Sequence, residues 1–415
     1  MTFSRLAQRR LRSGRSIWVP SGPAAQKRRY SSLSGTHETD LAIVGGGITG
    51  ALVAHAFASA GVATTLVEAG LVSRGSTAAS SALLLQEPDL ELAQLEARYG
   101  RRASRRIWSV SQESVAELIA LVTRLRIRCH LDQAEAIYYA TTDDAAERLR
   151  RERVLRTRAG FASDWLSAGA IRRTTGIPAR GAIRTHGSAQ FDPVRACVGI
   201  LRSAASQGAT IFERSRVRRI ETERHGVRLL TARGAIQARQ VVIATGYATP
   251  DFRPLAGRFR MYRTYVLATE PISAAQRREI GMSEVMVWDT ERPYHYARWT
   301  PDRRLLLGGG DRPLRPGQHP RQQFEAASRG VREYFERLLP ALATVDTALA
   351  WEGLFAMTPD SLPYIGPHRR YPHHWFALGY GGNGMTFGFL AARLLLERWH
   401  GEQSSDHALF EFDRL

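Results

Sequence analysis

DLAIVGGGITGALVAHAFASAGVATTLVEAG, residues 40–70, decides the fold class of this chain. In its first five residues, DLAIV, four apolar side chains follow Asp40, a short run that reads as a buried strand. Gly45, Gly46 and Gly47 then make a turn, and residues 48–60 place small and apolar side chains at helical spacing until Gly61 stops them. Residues 62–68 (VATTLVE) are a second β-rich run, which completes a βαβ unit and predicts an α/β fold with a parallel sheet. In a GxGxxG turn of this kind Gly45 permits the tight bend, Gly47 lets backbone approach a pyrophosphate, and Gly50 lets helix pack against strand. Ile48 and Thr49 open the helix, whose free N–H groups and positive end attract phosphate. Glu68 closes the second strand, where a carboxylate accepts hydrogen bonds from both ribose hydroxyls. A dinucleotide is expected. An acid at this position disfavours a 2′-phosphate and so NADP, but the motif does not separate FAD from NAD.

Composition narrows the remaining classes. The chain has 415 residues, a length that predicts two domains. Its formal net charge of +19 invites a nucleic-acid reading. Residues 1–30 supply +8 of this, from seven arginines and Lys27, and the other arginines are scattered rather than gathered in a stripe. No zinc finger, RNP motif or aromatic-studded basic helix accompanies them, so a nucleic-acid partner is not expected. Cys129 and Cys197 stand far apart with no metal-ligand spacing, which argues against disulfides, zinc and iron–sulfur clusters and for a reducing, cytoplasmic compartment. Residues 1–18 are Arg-rich but lack the apolar core of a secretory signal. Residues 41–63 carry no acid, lysine or arginine, yet the three glycines break a spanning helix, so no transmembrane segment is expected.

Outward from the opening unit, residues 89–128 read as two amphipathic helices, residues 136–140 (AIYYA) as a strand and residues 143–160 as a charged helix. Asp192 and Pro193 start a further helix as N-cap and first-turn residue. Residues 241–246 (VVIATG) are a buried strand, residues 262–311 are mostly β, and residues 386–399 form a closing helix. The expected architecture is a Rossmann-like domain, built discontinuously from residues 38–90, 192–255 and 345–401. A β-rich, mostly antiparallel substrate domain (91–191 and 256–344) is inserted into it, and residues 1–37 form a basic lead-in.

Several separated motifs resemble the family of FAD-dependent amine and amino-acid oxidoreductases that includes D-amino-acid, glycine and sarcosine oxidases. They are the βαβ unit, SRGSTAASSALLL (73–85), QFDPVRACVGILRSAASQGATIFERSRVRRI (190–220), VVIATGYAT (241–249) and GYGGNGMTFGFLAARLLLERW (379–399). The resemblance, not the opening motif, implies that the dinucleotide is FAD. It implies contacts from Gly45, Gly47, Ile48, Thr49, Gly50, Glu68 and Ala69, from Ser76 and Thr77 at the pyrophosphate, and from Val217 at adenine. It adds Thr245 and Gly246 over the phosphates, and Gly381, Gly382, Asn383, Gly384, Met385 and Thr386 at the flavin, with Gly366 nearby. A helix starting at Thr386 favours the reduced anionic ring. Some members tether the flavin to Cys or His; residues 73–81 hold neither, so FAD is expected to be non-covalent.

The activity implied is oxidation of a small amine or amino acid at its C–N bond by hydride transfer to flavin N5, with hydrolysis of the imine that forms. Oxygen or a quinone would be the electron acceptor, and no metal is needed. Rival readings are a flavin dehydrogenase of a related amine that passes electrons to a quinone or protein acceptor, an NAD enzyme, opposed by the C-terminal motif, and a flavin-binding protein without activity. Substrate contacts are expected from the β-rich region. Tyr294, Tyr296 and Arg298 alternate onto one strand face, and Tyr262 stands on another strand. Arg298 would clamp a substrate carboxylate while the tyrosines wall the amine. Gly308, Gly309 and Gly310 are expected to form a turn bordering this sheet.

Overall fold

The computed structural model describes residues 11–20, 22, 29–314 and 320–414. The targeting reading of residues 1–18 falls in part on residues 1–10, outside the described residues. The fold is mixed α/β, built on two large sheets.

The first sheet has a parallel core. Thr210–Phe212, Thr64–Val67, Gly35–Val44 and Gly234–Gly246 lie side by side, and His374–Leu378 joins the far edge of the last of these. Two antiparallel strands, Gly226–Leu230 and Arg219–Glu223, extend from Gly234–Gly246. The central strands are buried on both faces, which is why they read as continuous apolar runs rather than as alternation. One face is covered by Ile48–Ser59, Pro193–Ser206 and Thr386–Trp399. Phe57, Leu52, Ile200 and Leu390, all buried, join them to the sheet in one core, and each such side chain contributes about 1.5–3 kcal/mol. Asp192 caps its helix by accepting from the N–H groups of Val194 and Arg195 at 2.9 Å, with Pro193 in the first turn.

The second sheet has nine strands in the order Arg12–Gly14, Thr347–Met357, Arg260–Thr269, Leu305–Pro313, His295–Trp299, Met286–Asp289, Ala136–Ala140, Gly181–Thr185 and Asp164–Ser167. All neighbours are antiparallel except Met286–Asp289 beside Ala136–Ala140. Two strands depart from the expected segmentation. Thr347–Met357 pairs along its length with Arg260–Thr269, so residues 347–357 sit in the antiparallel sheet and not in the dinucleotide-binding half. Arg12–Gly14, inside the stretch read as a basic lead-in, pairs with Trp351–Gly353 as an edge strand. Just beyond it Trp18 is buried and donates from Nε1 to the Ser80 carbonyl at 2.7 Å.

Residues 92–124 form one helical stretch broken at Gly100, whose φ of 73° is not helical, which matches the expected pair of helices. No helix among the described residues is long and apolar enough to cross a membrane. The uncharged stretch 41–63 divides into strand, glycine turn and helix.

Candidate functional site

A cavity of about 1360 Å³ opens between the two sheets. That exceeds the ~300–1,000 Å³ usual for a single small ligand. Its parallel-sheet side is made largely of backbone. Gly45 has φ +117°, and a Cβ there would lie 2.6 Å from the Ala244 carbonyl oxygen. A Cβ on Gly50 would lie 1.9 Å from the Gly45 oxygen, so helix and turn meet without room for a methyl. Helix Ile48–Ser59 starts at Gly47 with no side-chain cap, which leaves its first turn facing the cavity. The Ile48 N–H donates to Thr77 Oγ1 at 3.0 Å, which ties this loop to the segment 73–81. Glu68 accepts from the Gly46 N–H at 2.8 Å and from the Gly70 N–H at 2.7 Å. Burial pushes its carboxyl up and those two bonds push it down, with a net rise. An uncapped helix start, a glycine cradle and a carboxylate beside it fit a dinucleotide.

Gly45, Gly47, Ile48, Thr49, Glu68, Ala69, Ser76, Thr77, Val217, Thr245, Gly246, Gly381, Gly382, Gly384 and Met385 all line this cavity. Four expected contacts do not. Gly50 lies beneath the loop as a packing residue. Asn383 points away, donating from Nδ2 to the Glu87 carbonyl at 3.1 Å and to Asp89 Oδ1 at 2.9 Å. Thr386 donates to the Leu85 carbonyl at 3.2 Å. Together with the Gly382 N–H, 2.7 Å from Asp89 Oδ2, these two residues bind the C-terminal glycine turn to segment 85–89. Gly366 sits between Arg398 and Glu411, on a strand pair away from the cavity.

The antiparallel side is made of side chains. Tyr294 and Tyr296 line it with ring centroids 6.0 Å apart, and Tyr296 Oη lies 3.3 Å from Thr264 Oγ1. Gly308 makes room for this, since a Cβ there would fall 2.3 Å from the Tyr296 ring. The three glycines are not a turn. They lie inside strand Leu305–Pro313, where Gly309 (φ +126°) and Gly310 (φ +63°) make a bulge opposite Thr264. Bulges redirect side chains, and the residue just after this one, Asp311, lines the cavity.

Tyr262 does not line the cavity and instead stacks on Phe355, which does. Arg298 is the larger correction. It is 1% exposed, donating from Nε to the Ser81 carbonyl at 2.7 Å, from Nη1 to Gln190 Oε1 and the Trp299 carbonyl, and from Nη2 to the Phe191 carbonyl. Its guanidinium lies 5.2 Å from the Trp18 ring, and burial without an ion-paired acid lowers its pKa to about 9. Alternation along a strand gave its face and not its depth. This side chain is spent on loop carbonyls and offers no fork to a substrate.

Sequence reasoning missed Asp311, Thr264, Arg12, Arg74, Arg216 and Tyr247, all on the wall. Arg12 Nε and Arg74 Nη1 are buried without a hydrogen-bond partner among the described residues, and both side chains line the cavity with Gly75 and Ser76. Local signals existed for Arg216 and Tyr247, neighbours of predicted contacts, for Arg74 inside the motif 73–85, and for Asp311 directly after the three glycines. Among the described wall residues there is no Cys or His. Cys129 and Cys197 are buried, the latter with Sγ 3.8 Å from the Gly46 oxygen beneath the loop.

Comparison with known proteins agrees with this geometry. Gamma-glutamylputrescine oxidoreductase of Escherichia coli (strain K12) is 27% identical over 386 residues, spanning 91% of this chain and 88% of that protein. Glycine oxidase of Geobacillus kaustophilus (strain HTA426) is 25% identical over 393 residues, spanning 91% and 98%. The crystal structure of glycine oxidase from Geobacillus kaustophilus superposes with a TM-score of 0.79 at 22% identity, over 91% of this chain and 99% of that one. That of L-proline dehydrogenase from P. horikoshii gives 0.75 at 19% identity, over 91% and 97%. These structural likenesses show the shared fold. The family described as FAD dependent oxidoreductase matches residues 40–398, and this chain belongs to it.

Proposed function

We propose that the chain holds FAD non-covalently and oxidises the C–N bond of a small amine or amino acid to an imine, which water then hydrolyses. One observation carries this reading: a single cavity joins the glycine loop and Glu68 to Tyr294, Tyr296 and Asp311. The names of two relatives, a gamma-glutamylputrescine oxidoreductase and a glycine oxidase, support an amine or amino-acid substrate.

Bound FAD supplies an acceptor for a hydride from the carbon bearing nitrogen. The protein's part is to hold and to desolvate. Gly45, Gly47, Ile48 and Thr49 would receive the pyrophosphate, with Ser76, Thr77 and the donors of Arg12 and Arg74 beside it. Glu68 would take the ribose, and Val217 would lie along adenine. Gly381, Gly382 and Gly384 leave backbone free to approach the flat ring, and Tyr294, Tyr296 and Phe355 wall the substrate in apolar surface. No acid–base triad is required, because orientation at a reacting distance of about 3–3.5 Å carries most of the work. A wall free of Cys and His supports non-covalent binding.

Acid precipitation of purified protein tests the cofactor part: yellow colour is expected in the supernatant, and colour retained by the pellet contradicts it. A panel of D-amino acids, glycine, sarcosine and polyamine derivatives, added without oxygen, tests the reaction. At least one is expected to bleach the flavin, and readmitted air then reports by peroxide formation whether oxygen is the acceptor.

A further inference from the structure

On the antiparallel side of the cavity stands a carboxylate that forms an ion pair with no cation among the described residues. Asp311 lines the wall, yet its Oδ1 is buried without a hydrogen-bond partner. The bulge at Gly309 and Gly310 puts it opposite Thr264, whose hydroxyl, with that of Tyr294, lies within its reach. The nearest charged groups do not neutralise it. His295 on the adjacent strand is committed to Asp289, Nδ1 to Oδ2 at 3.1 Å, and is stacked on Tyr334 at 3.7 Å. Asp89, across the C-terminal glycine turn, is a second, partly buried acid, and its charge adds to the desolvation that pushes the Asp311 carboxyl up to about 7. Arg292 acts on Asp89 and Tyr294 and forms no ion pair with Asp311.

The guanidiniums of the wall belong elsewhere. Arg216 adjoins Val217 and acts on Glu68, Arg74 lies in the segment 73–81, and Arg12 pairs with Gly353, which separates it from Thr264 by one strand. Arg298 is closed off by carbonyls. A substrate end placed beside Asp311 therefore meets a carboxylate and the faces of two tyrosines, a combination that attracts a cation and repels an anion.

Resting on the reading of this cavity as an amine-oxidising flavin site, we propose that Asp311 receives the cationic nitrogen of the substrate, which binds as the ammonium and gives up a proton to water before the hydride leaves its carbon. The substrate class is then an amine recognised by its charge, not an α-amino acid clamped by its carboxylate. The Asp311 carboxylate is the acceptor, the Thr264 and Tyr294 hydroxyls lie beside it, and the Tyr294 and Tyr296 rings flank the ammonium group.

The test uses the flavin-loaded full chain and two isosteric probes, tert-butylammonium and pivalate, neither of which has a hydrogen on the carbon next to the charged group. Binding is read by perturbation of the visible flavin spectrum and by calorimetry. The cation is expected to bind and pivalate to bind at least about tenfold more weakly. Asp311→Asn should keep its flavin and lose at least about tenfold in affinity for the cation. Equal binding of the two probes by the natural protein, a comparison that needs no variant, overturns the proposal, as does an Asp311→Asn protein that binds the cation unchanged. Protein purified without flavin would overturn the underlying reading instead, so the two failures are distinguishable.

Discussion

The two sides of the cavity are built by different means. The parallel-sheet side is backbone: glycines whose Cβ atoms would collide, an uncapped helix start, and one acid held by two N–H groups. The antiparallel side is side chain: two tyrosines, a threonine and a buried acid drawn from three strands. Backbone contacts suit a ligand common to a whole family. Buried side chains can change one at a time, and they set which small molecule enters. The first side is fixed by shape; on the second, shape matters at Gly308 and Gly309, and charge is set by Asp311.

The largest effect that would sharpen this contrast is Gly50→Ala. A methyl at 1.9 Å from the Gly45 oxygen forces the loop off the helix. FAD affinity is expected to fall by about 100-fold or more, equivalent to ~3 kcal/mol, read by flavin content after gel filtration. Near-normal flavin content would break the backbone half of the comparison.

Arg298→Ala comes next. It leaves the Ser81, Trp299 and Phe191 carbonyls and Gln190 without their donor in a dry interior. Stability should fall by about 3 kcal/mol or more, read as a lower denaturant midpoint. KM for any substrate that still turns over should change little. A stable variant with a raised KM for carboxylate substrates would restore Arg298 to the site.

The charge half predicts a pH dependence. Asp311 is neutral below about 7 and ionised above it, because burial and Asp89 raise its carboxyl while Thr264, His295 and Tyr294 oppose that rise. A substrate ammonium with a pKa near ~10 stays charged across this window. Affinity for tert-butylammonium should therefore rise with pH through about 7 and fall about tenfold per unit below it. Asp311→Asn should flatten the profile, and a natural protein with no change between pH 5.5 and 8.5 would contradict the assignment.

Glu68→Gln is expected to be the mildest change. One amide oxygen can still accept from a loop N–H, but the other position now donates toward one. FAD should bind about tenfold more weakly with unchanged amine selectivity, measured by fluorescence titration of the stripped protein.

The same contrast explains what was legible in the chain. Residues 40–70 are contiguous, and every glycine in them has a local reason, so loop, helix and Glu68 could be read directly. The C-terminal turn was legible only in part, because Asn383 and Thr386 face Glu87, Asp89 and Leu85 and that packing leaves no short pattern. Asp311 stands directly after the three glycines, but its position on the wall depends on a bulge between two strands far apart in sequence. Arg298 was misread because period-two alternation says nothing of what closes over a side chain. Arg12–Gly14 looked like part of a basic lead-in, because its strand partner Trp351–Gly353 lies near the other end of the chain.

Anaerobic mixing of the flavin-loaded protein with a single amine from the panel, counting carbonyl product against flavin bleached, tests the central claim most directly. One carbonyl per flavin bleached is predicted, with colour restored when the acceptor is added. Bleaching without a carbonyl product, or no bleaching by any amine or amino acid, would contradict C–N oxidation at this site.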